Sequence, residues 1–214
     1  GNTGWLDSVK WIENKRTLLE KFSAEIKERK FETVVLIGMG GSSLTSFVVS
    51  SLFASNEVDT KFVILDTIVA PSIESLHQKL DYANTLFIIA SKFGETLETN
   101  ILYEYFYNQV AIKNGYEKAG SFFAAITDDG SPLHTIAKES NFSNIFLNPS
   151  DIGGRFSALS YFGIVPALCM GIPLDSVVSV VSKMIDSCGE TVCITDNSAI
   201  NLALYLASNQ KNNR

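Results

Sequence analysis

Three short stretches of this chain bring glycine, hydroxyl and cationic residues together in a spacing suited to holding an anion. The first is Gly38-Met39-Gly40-Gly41-Ser42-Ser43. Its glycines carry no Cβ, so the backbone can turn sharply and approach a ligand closely. Ser42 and Ser43 stand where a helix is expected to begin, and unpaired N–H groups there favour phosphate. The second stretch is Ser91-Lys92-Phe93-Gly94-Glu95-Thr96, with two hydroxyls, a lysine and a glycine in six residues. The third, Asn148-Pro149-Ser150-Asp151-Ile152-Gly153-Gly154-Arg155, sets an arginine beside two glycines. Hydroxyls, backbone N–H groups and an ammonium converging on one spot would suit a phosphate monoester. Each stretch also has a plain explanation: a tight turn, helix capping at Ser91 and Thr96, a surface charge at Arg155. Their recurrence in one chain tilts the reading towards phosphate.

The elements that would position these stretches alternate between strand and helix. Val34-Val35-Leu36-Ile37 reads as a strand buried on both faces. Apolar residues at 44, 47, 48 and 52 then follow at helical spacing, with the helix running to about Ala54. Lys61–Asp66, Thr85–Ala90, Phe122–Thr127 and Asn144–Leu147 are further expected strands. Helices are expected from Pro71 to Leu80, Thr96 to Asn114 and Pro132 to Ser140. Asp128-Asp129-Gly130 reads as a turn. The alternation predicts a three-layer α/β/α sandwich with a five-stranded parallel sheet in the flavodoxin-like order 2-1-3-4-5, spanning about residues 31–150. In that order the first and third strands are neighbours, so the first two ligand stretches would face one another across a single pocket. An amphipathic segment from Trp5 to Lys30 leads in, and helical stretches at 156–170, 174–188 and 196–209 lead out. Three divisions are therefore expected: a helical lead-in at 1–30, a ligand domain at 31–171 and a helical segment at 172–214.

Composition narrows the class. The 214 residues are 46% hydrophobic and 19% charged, as befits a globular chain with a sizeable core. A formal charge of −6, with no Lys/Arg cluster, argues against nucleic acid as a partner. No apolar run is long enough to span a membrane, so no membrane partner is expected. Cys169, Cys188 and Cys193 lack a common zinc spacing and read as reduced, buried thiols of a cytoplasmic protein, with no metal site. His77 and His134 fall on helices away from the glycine stretches and read as surface or half-buried residues. Asp66 ends the second strand where a dinucleotide fold would place its ribose-binding acid. Gly38-x-Gly40-x-x-Ser43 lacks the third glycine of that fingerprint, which makes a nucleotide-dependent oxidoreductase a poor fit. The chain begins without methionine and stops at Lys211-Asn212-Asn213-Arg214, and is expected to be a piece of something longer.

Taken together, the three stretches resemble the glucose-6-phosphate isomerase family, whose first domain has the sugar-isomerase (SIS) fold. Gly38–Ser43 is similar to its first phosphate loop, and Ser91-Lys92-Phe93-Gly94-Glu95-Thr96-Leu97-Glu98 to its Ser-Lys-[ST]-x-x-Thr-x-Glu loop. Gly153-Gly154-Arg155-Phe156-Ser157 resembles its Gly-Gly-Arg-[FY]-Ser signature. The longer match, with Ile126-Thr127-Asp128 and Pro149-Ser150-Asp151-Ile152, most resembles the isomerase half of transaldolase/glucose-6-phosphate isomerase fusions. The resemblance implies that Gly41, Ser42, Ser91, Lys92 and Thr96 hold a sugar phosphate, glucose 6-phosphate or fructose 6-phosphate. It implies that Gly154 and Arg155 face the reacting carbons, with Arg155 stabilising a cis-enediolate. No cofactor is implied, and the parent protein would be a homodimer. Phe93 departs from the family's usual hydroxyl, and Glu95 adds a negative charge. The family's catalytic glutamate, its ring-opening histidine and a late lysine lie beyond the Gly-Gly-Arg loop, in or after a second SIS domain, and nothing here matches those segments. The chain is thus expected to grip the phosphate without completing the reaction alone. The alternative is a non-catalytic phosphosugar-binding regulatory module on the same fold.

Overall fold

The computed structural model describes residues 3–53 and 60–210. Five parallel strands form one sheet: β1 (Thr33–Gly38), β2 (Lys61–Leu65), β3 (Thr85–Ala90), β4 (Phe123–Asp128) and β5 (Asn144–Asn148). Their spatial order is β2-β1-β3-β4-β5, the order expected from the alternating pattern. The central strands are runs of Val, Ile, Leu, Phe and Ala because both faces are covered. All six residues of β3 are buried.

Two units divide the chain, Gly1–Pro173 and Leu174–Arg214. In the first unit the lead-in forms a 3₁₀ turn at Gly4–Asp7, then α1 (Ser8–Asn14) and α2 (Arg16–Arg29), broken at Lys15. The remaining helices are α3 (Leu44–Phe53), α4 (Ala70–His77), α5 (Leu97–Asn114), the short α6 (Tyr116–Ala119), α7 (Pro132–Glu139) and α8 (Tyr161–Cys169). One sheet face presents Val35, Ile37, Phe87, Ile89, Phe123 and Ala125 to Leu102, Tyr103, Phe106 and Val110 of α5 and Leu133 and Ala137 of α7. Phe87 stacks on both Phe106 and Phe123 with ring centroids 5.1 Å apart, so the aromatic stripe of α5 is core. On the other side Phe22 of α2 meets Phe146 of β5 edge-on, and Tyr161 of α8 packs on Phe146 and Trp11. The second unit holds α9 (Leu174–Ser187) and α10 (Ser198–Gln210). Asn197 caps α10, its Oδ1 accepting from the N–H groups of Ala199 and Ile200.

Three local expectations are corrected, and α3 adds a detail that spacing did not address. A continuous helix over 156–170 is absent: residues Gly154–Leu159 form a 3₁₀ turn, and α8 begins only after Ser160. Ser160 is extended and its Oγ accepts the Phe162 N–H, so a capping residue interrupts the apolar spacing. In α3 the apolar residues Leu44, Phe47, Val48 and Leu52 are exposed while Ser46 is buried. The expected end of that helix at about Ala54 lies outside the described residues. His134 is buried, its Nδ1 accepting the Gly130 N–H at 3.1 Å. Of the three thiols only Cys169 is buried, and Cys193 is exposed.

Candidate functional site

β1 and β3 are adjacent and end level, Gly38 being registered with Ala90, so the loops that follow leave the sheet side by side. In the first loop Gly40–Ser42 makes one 3₁₀ turn, closed by the Ser42 N–H on the Met39 carbonyl at 3.1 Å. Gly41 and Ser42 are half-buried on this turn. Ser43 is turned inward, with its Oγ 3.3 Å from the Gly40 carbonyl.

The second loop carries its chemistry on side chains. Ser91 is buried at the end of β3, and its Oγ lies 3.2 Å from the Thr96 Oγ1. Thr96 precedes α5 but its hydroxyl makes no capping hydrogen bond to the helix. Capping therefore does not account for this residue, and the two hydroxyls form a pair at the N-terminus of an 18-residue helix. The Lys92 ammonium lies 2.7 Å from the Asp128 Oδ2 and 3.3 Å from the Ser150 carbonyl. It also stands 5.4 Å from the Phe93 ring centroid. Phe93 and Glu95 are both exposed.

The third loop leaves β5 and reaches back across the strand ends. Near its start Ser150 meets Lys92; further on, Gly154 lies against Gly41. A Cβ added at Gly41 would fall 2.6 Å from the Gly154 carbonyl oxygen, so the two backbones touch only because residue 41 has no side chain. Ser157 fastens this contact, its Oγ donating to the carbonyls of Gly154 (2.7 Å) and Gly41 (3.3 Å). Around a Cβ placed on Gly154, by contrast, there is open space, which leaves room for a ligand beside the loop. Arg155 is exposed, and its guanidinium makes no hydrogen bond or ion pair with the described residues. The next residue, Phe156, stacks on Trp5 with centroids 5.7 Å apart, so Arg155 sits between two anchored neighbours.

The structure thus joins Gly41 to Gly154, Ser91 to Thr96, and Lys92 to the third loop. Ser42 shares the turn of Gly41, and Arg155 directly follows Gly154. Sequence reading missed Asp128 and Ser157 as members of this group. Ser157 was within reach, as the serine of the Gly-Gly-Arg-Phe-Ser stretch. Asp128 was marked only as a turn residue and as the end of the Ile126-Thr127-Asp128 match, neither of which pointed to Lys92. Among the described residues no three His, Cys, Asp or Glu side chains gather as metal ligands do. Nor is any helix among them long and apolar enough to cross a membrane.

The class that this architecture defines is a doubly wound parallel α/β domain with glycine- and hydroxyl-bearing loops gathered at the carboxyl edge of its sheet. Known proteins fill in the particulars. A family model described as phosphoglucose isomerase matches residues 7–212. The glucose-6-phosphate isomerase of Mycoplasma capricolum is 34% identical over 185 residues, 81% of this chain and 42% of its own length. That of Campylobacter jejuni is 31% identical over 160 residues, 74% of this chain and 38% of its own. The crystal structure of a hypothetical protein from Thermus thermophilus superposes with a TM-score of 0.86 at 28% identity, covering 96% of this chain and 48% of that one. The chain belongs to the phosphoglucose isomerase family. It spans about two fifths of the length of these two isomerases.

Proposed function

We propose that this chain is the phosphate-gripping portion of a glucose-6-phosphate isomerase, which interconverts glucose 6-phosphate and fructose 6-phosphate through a cis-enediolate. In this reading the phosphate sits between the turn of Gly41 and Ser42 and the hydroxyls of Ser91 and Thr96. Backbone N–H groups at the start of α5 add to the binding. Lys92 directs two of its N–H groups to Asp128 and Ser150 and offers the phosphate its third. Gly154 leaves space for the sugar, and Arg155 meets the negative charge that develops on the substrate oxygens. A fixed cation aimed at developing oxyanion charge lowers the barrier without stabilising the ground state equally.

The observation that carries the reading is Arg155: a guanidinium unpaired among the described residues, on a loop whose preceding residue is packed against the first glycine turn. Proton transfer between C1 and C2 needs a general base. That base belongs to the remainder of the parent protein, so the 214-residue chain alone binds without isomerising. Family membership favours this reading over a purely regulatory phosphosugar module. The reading includes a homodimeric parent working in the cytoplasm, a proposal that membership of the family supports.

The test is a titration of the chain with fructose 6-phosphate and with unphosphorylated fructose, followed by amide chemical shifts. Fructose 6-phosphate should move the signals of Gly40–Ser43 and Ser91–Thr96, and fructose should leave them in place. An equal response to both, or to neither, would overturn the proposal.

A further inference from the structure

Asp128 ends β4, on the far side of β3 from the first glycine turn, and the phosphate reading above gives it no task. Yet it is bound to Lys92 twice over. Its backbone N–H donates to the Lys92 carbonyl at 2.9 Å, and its Oδ2 receives the Lys92 ammonium at 2.7 Å. The two side chains keep only 13% and 15% of their exposure, so the pair is largely withdrawn from water. The other carboxylate oxygen, Oδ1, is buried and has no partner among the described residues. The charge of Asp128 is thus compensated by Lys92, and the ammonium is held where its second hydrogen bond reaches the Ser150 carbonyl. Ser150 opens the loop that ends in Gly154 and Arg155. Within that loop Ile152 is buried and donates to the Pro149 carbonyl, while Phe156 donates to the Gly153 carbonyl.

We propose that Asp128 is a positioning residue: it locks the Lys92 ammonium onto the Ser150 carbonyl and so anchors the start of the Arg155 loop across the strand ends. The bearing of this anchor on catalysis rests on the isomerase reading above; the anchor itself does not. A freely mobile lysine in a phosphate loop would need no acid on its far side. An acid paired at hydrogen-bond distance both fixes the ammonium and offsets part of its charge.

The experiment is amide hydrogen exchange on the 214-residue chain, read at Ile152 and Phe156, with Val35 and Ile89 of the sheet as the control for folding. Asp128→Ala should speed exchange at both loop amides by about tenfold or more, the factor implied by losing one charge-assisted hydrogen bond. Asp128→Asn keeps an acceptor for the ammonium and should restore much of the protection. Lys92→Met should match Asp128→Ala, and the double variant Lys92→Met/Asp128→Ala should be no worse than the more severe single one. Loop exchange unchanged in Asp128→Ala, or effects that add in the double variant, would overturn the proposal. If Asp128→Ala does not fold, Lys92→Met with Asp128→Asn takes its place: no effect beyond Lys92→Met supports the anchor, and additivity overturns it. A chain that shows this exchange pattern yet ignores fructose 6-phosphate would refute the isomerase reading and leave the anchor standing. Binding without the pattern would do the reverse.

Discussion

The loop that carries Arg155 meets the rest of the site at two places, and they are built in opposite ways. At Gly154 the contact is backbone against backbone, made possible by the missing side chain of Gly41. At Ser150 it is charge against carbonyl, made by a lysine whose own position depends on an acid from the neighbouring strand. The first kind of contact is rigid and intolerant, because no side chain of any chemistry fits. The second can be graded, because charge, length and acceptor strength can each be changed separately. Under the isomerase proposal, a site that holds a phosphate of constant charge and also meets charge appearing during reaction would gain from having both.

The sharpest way to break this comparison is at its rigid end. Gly41→Ala places a Cβ 2.6 Å from the Gly154 oxygen and 2.9 Å from its carbonyl carbon, neither of which is a flexible side-chain tip. Such overpacking should cost about 3 kcal/mol, lowering the Tm by roughly 6–12 °C in a thermal melt. Gly40→Ala, one residue earlier, meets only open space and a φ of +55°. It should cost about 1 kcal/mol, the ordinary penalty of a left-handed alanine. Equal losses in the two variants would mean that the Gly41–Gly154 approach is not what holds the loop.

The graded end should respond less. Lys92→Met leaves the Asp128 carboxylate largely buried without its counter-charge. Breaking a fully buried pair costs about 3–5 kcal/mol; the exposure that remains here reduces the expectation to about 2 kcal/mol in urea denaturation. A loss below about 0.5 kcal/mol is what a surface ion pair would give, and it would remove the distinction between the two ends. Smaller still is Ser91→Ala, which deletes one hydroxyl from the pair with Thr96. Stability should fall by about 1 kcal/mol, and fructose 6-phosphate should bind about tenfold more weakly, measured by calorimetry. Full binding in that variant would take Ser91 out of the phosphate site.

The two ends also differed in how far the sequence revealed them. Glycines clustered between a buried strand and a helix are visible in one dimension, and so was the pairing of loops once strand order followed from the βα alternation. The ion pair was not, because Asp128 lies 36 residues from Lys92 and Ser150 contributes only a carbonyl, which has no side-chain signature. Asp128 read as the first residue of a turn, which in local terms it is. In α3 the apolar spacing correctly announced a helix but not the face it buries: Ser46 points inward and Phe47 outward. Periodicity reports which residues share a face, and tertiary packing decides which face is covered. Ser160 shows a different limit, since one capping serine divides an apolar stretch that spacing alone reads as continuous.

The central claim is that Arg155 is kept free of internal partners in order to meet charge that appears only during reaction. Steady-state kinetics of the full-length parent carrying Arg155→Ala test it most directly. The chain's stability should be unaffected, because the side chain is exposed and unpartnered among the described residues. The account predicts that kcat falls by about 10²–10³, the usual cost of losing one donor to a developing oxyanion, while KM for fructose 6-phosphate stays within a few-fold. Arg155→Lys should not restore the rate, because an ammonium lacks the planar two-pronged geometry of guanidinium. A near-normal kcat in Arg155→Ala would contradict the account and reduce Arg155 to a surface charge on a well-anchored loop.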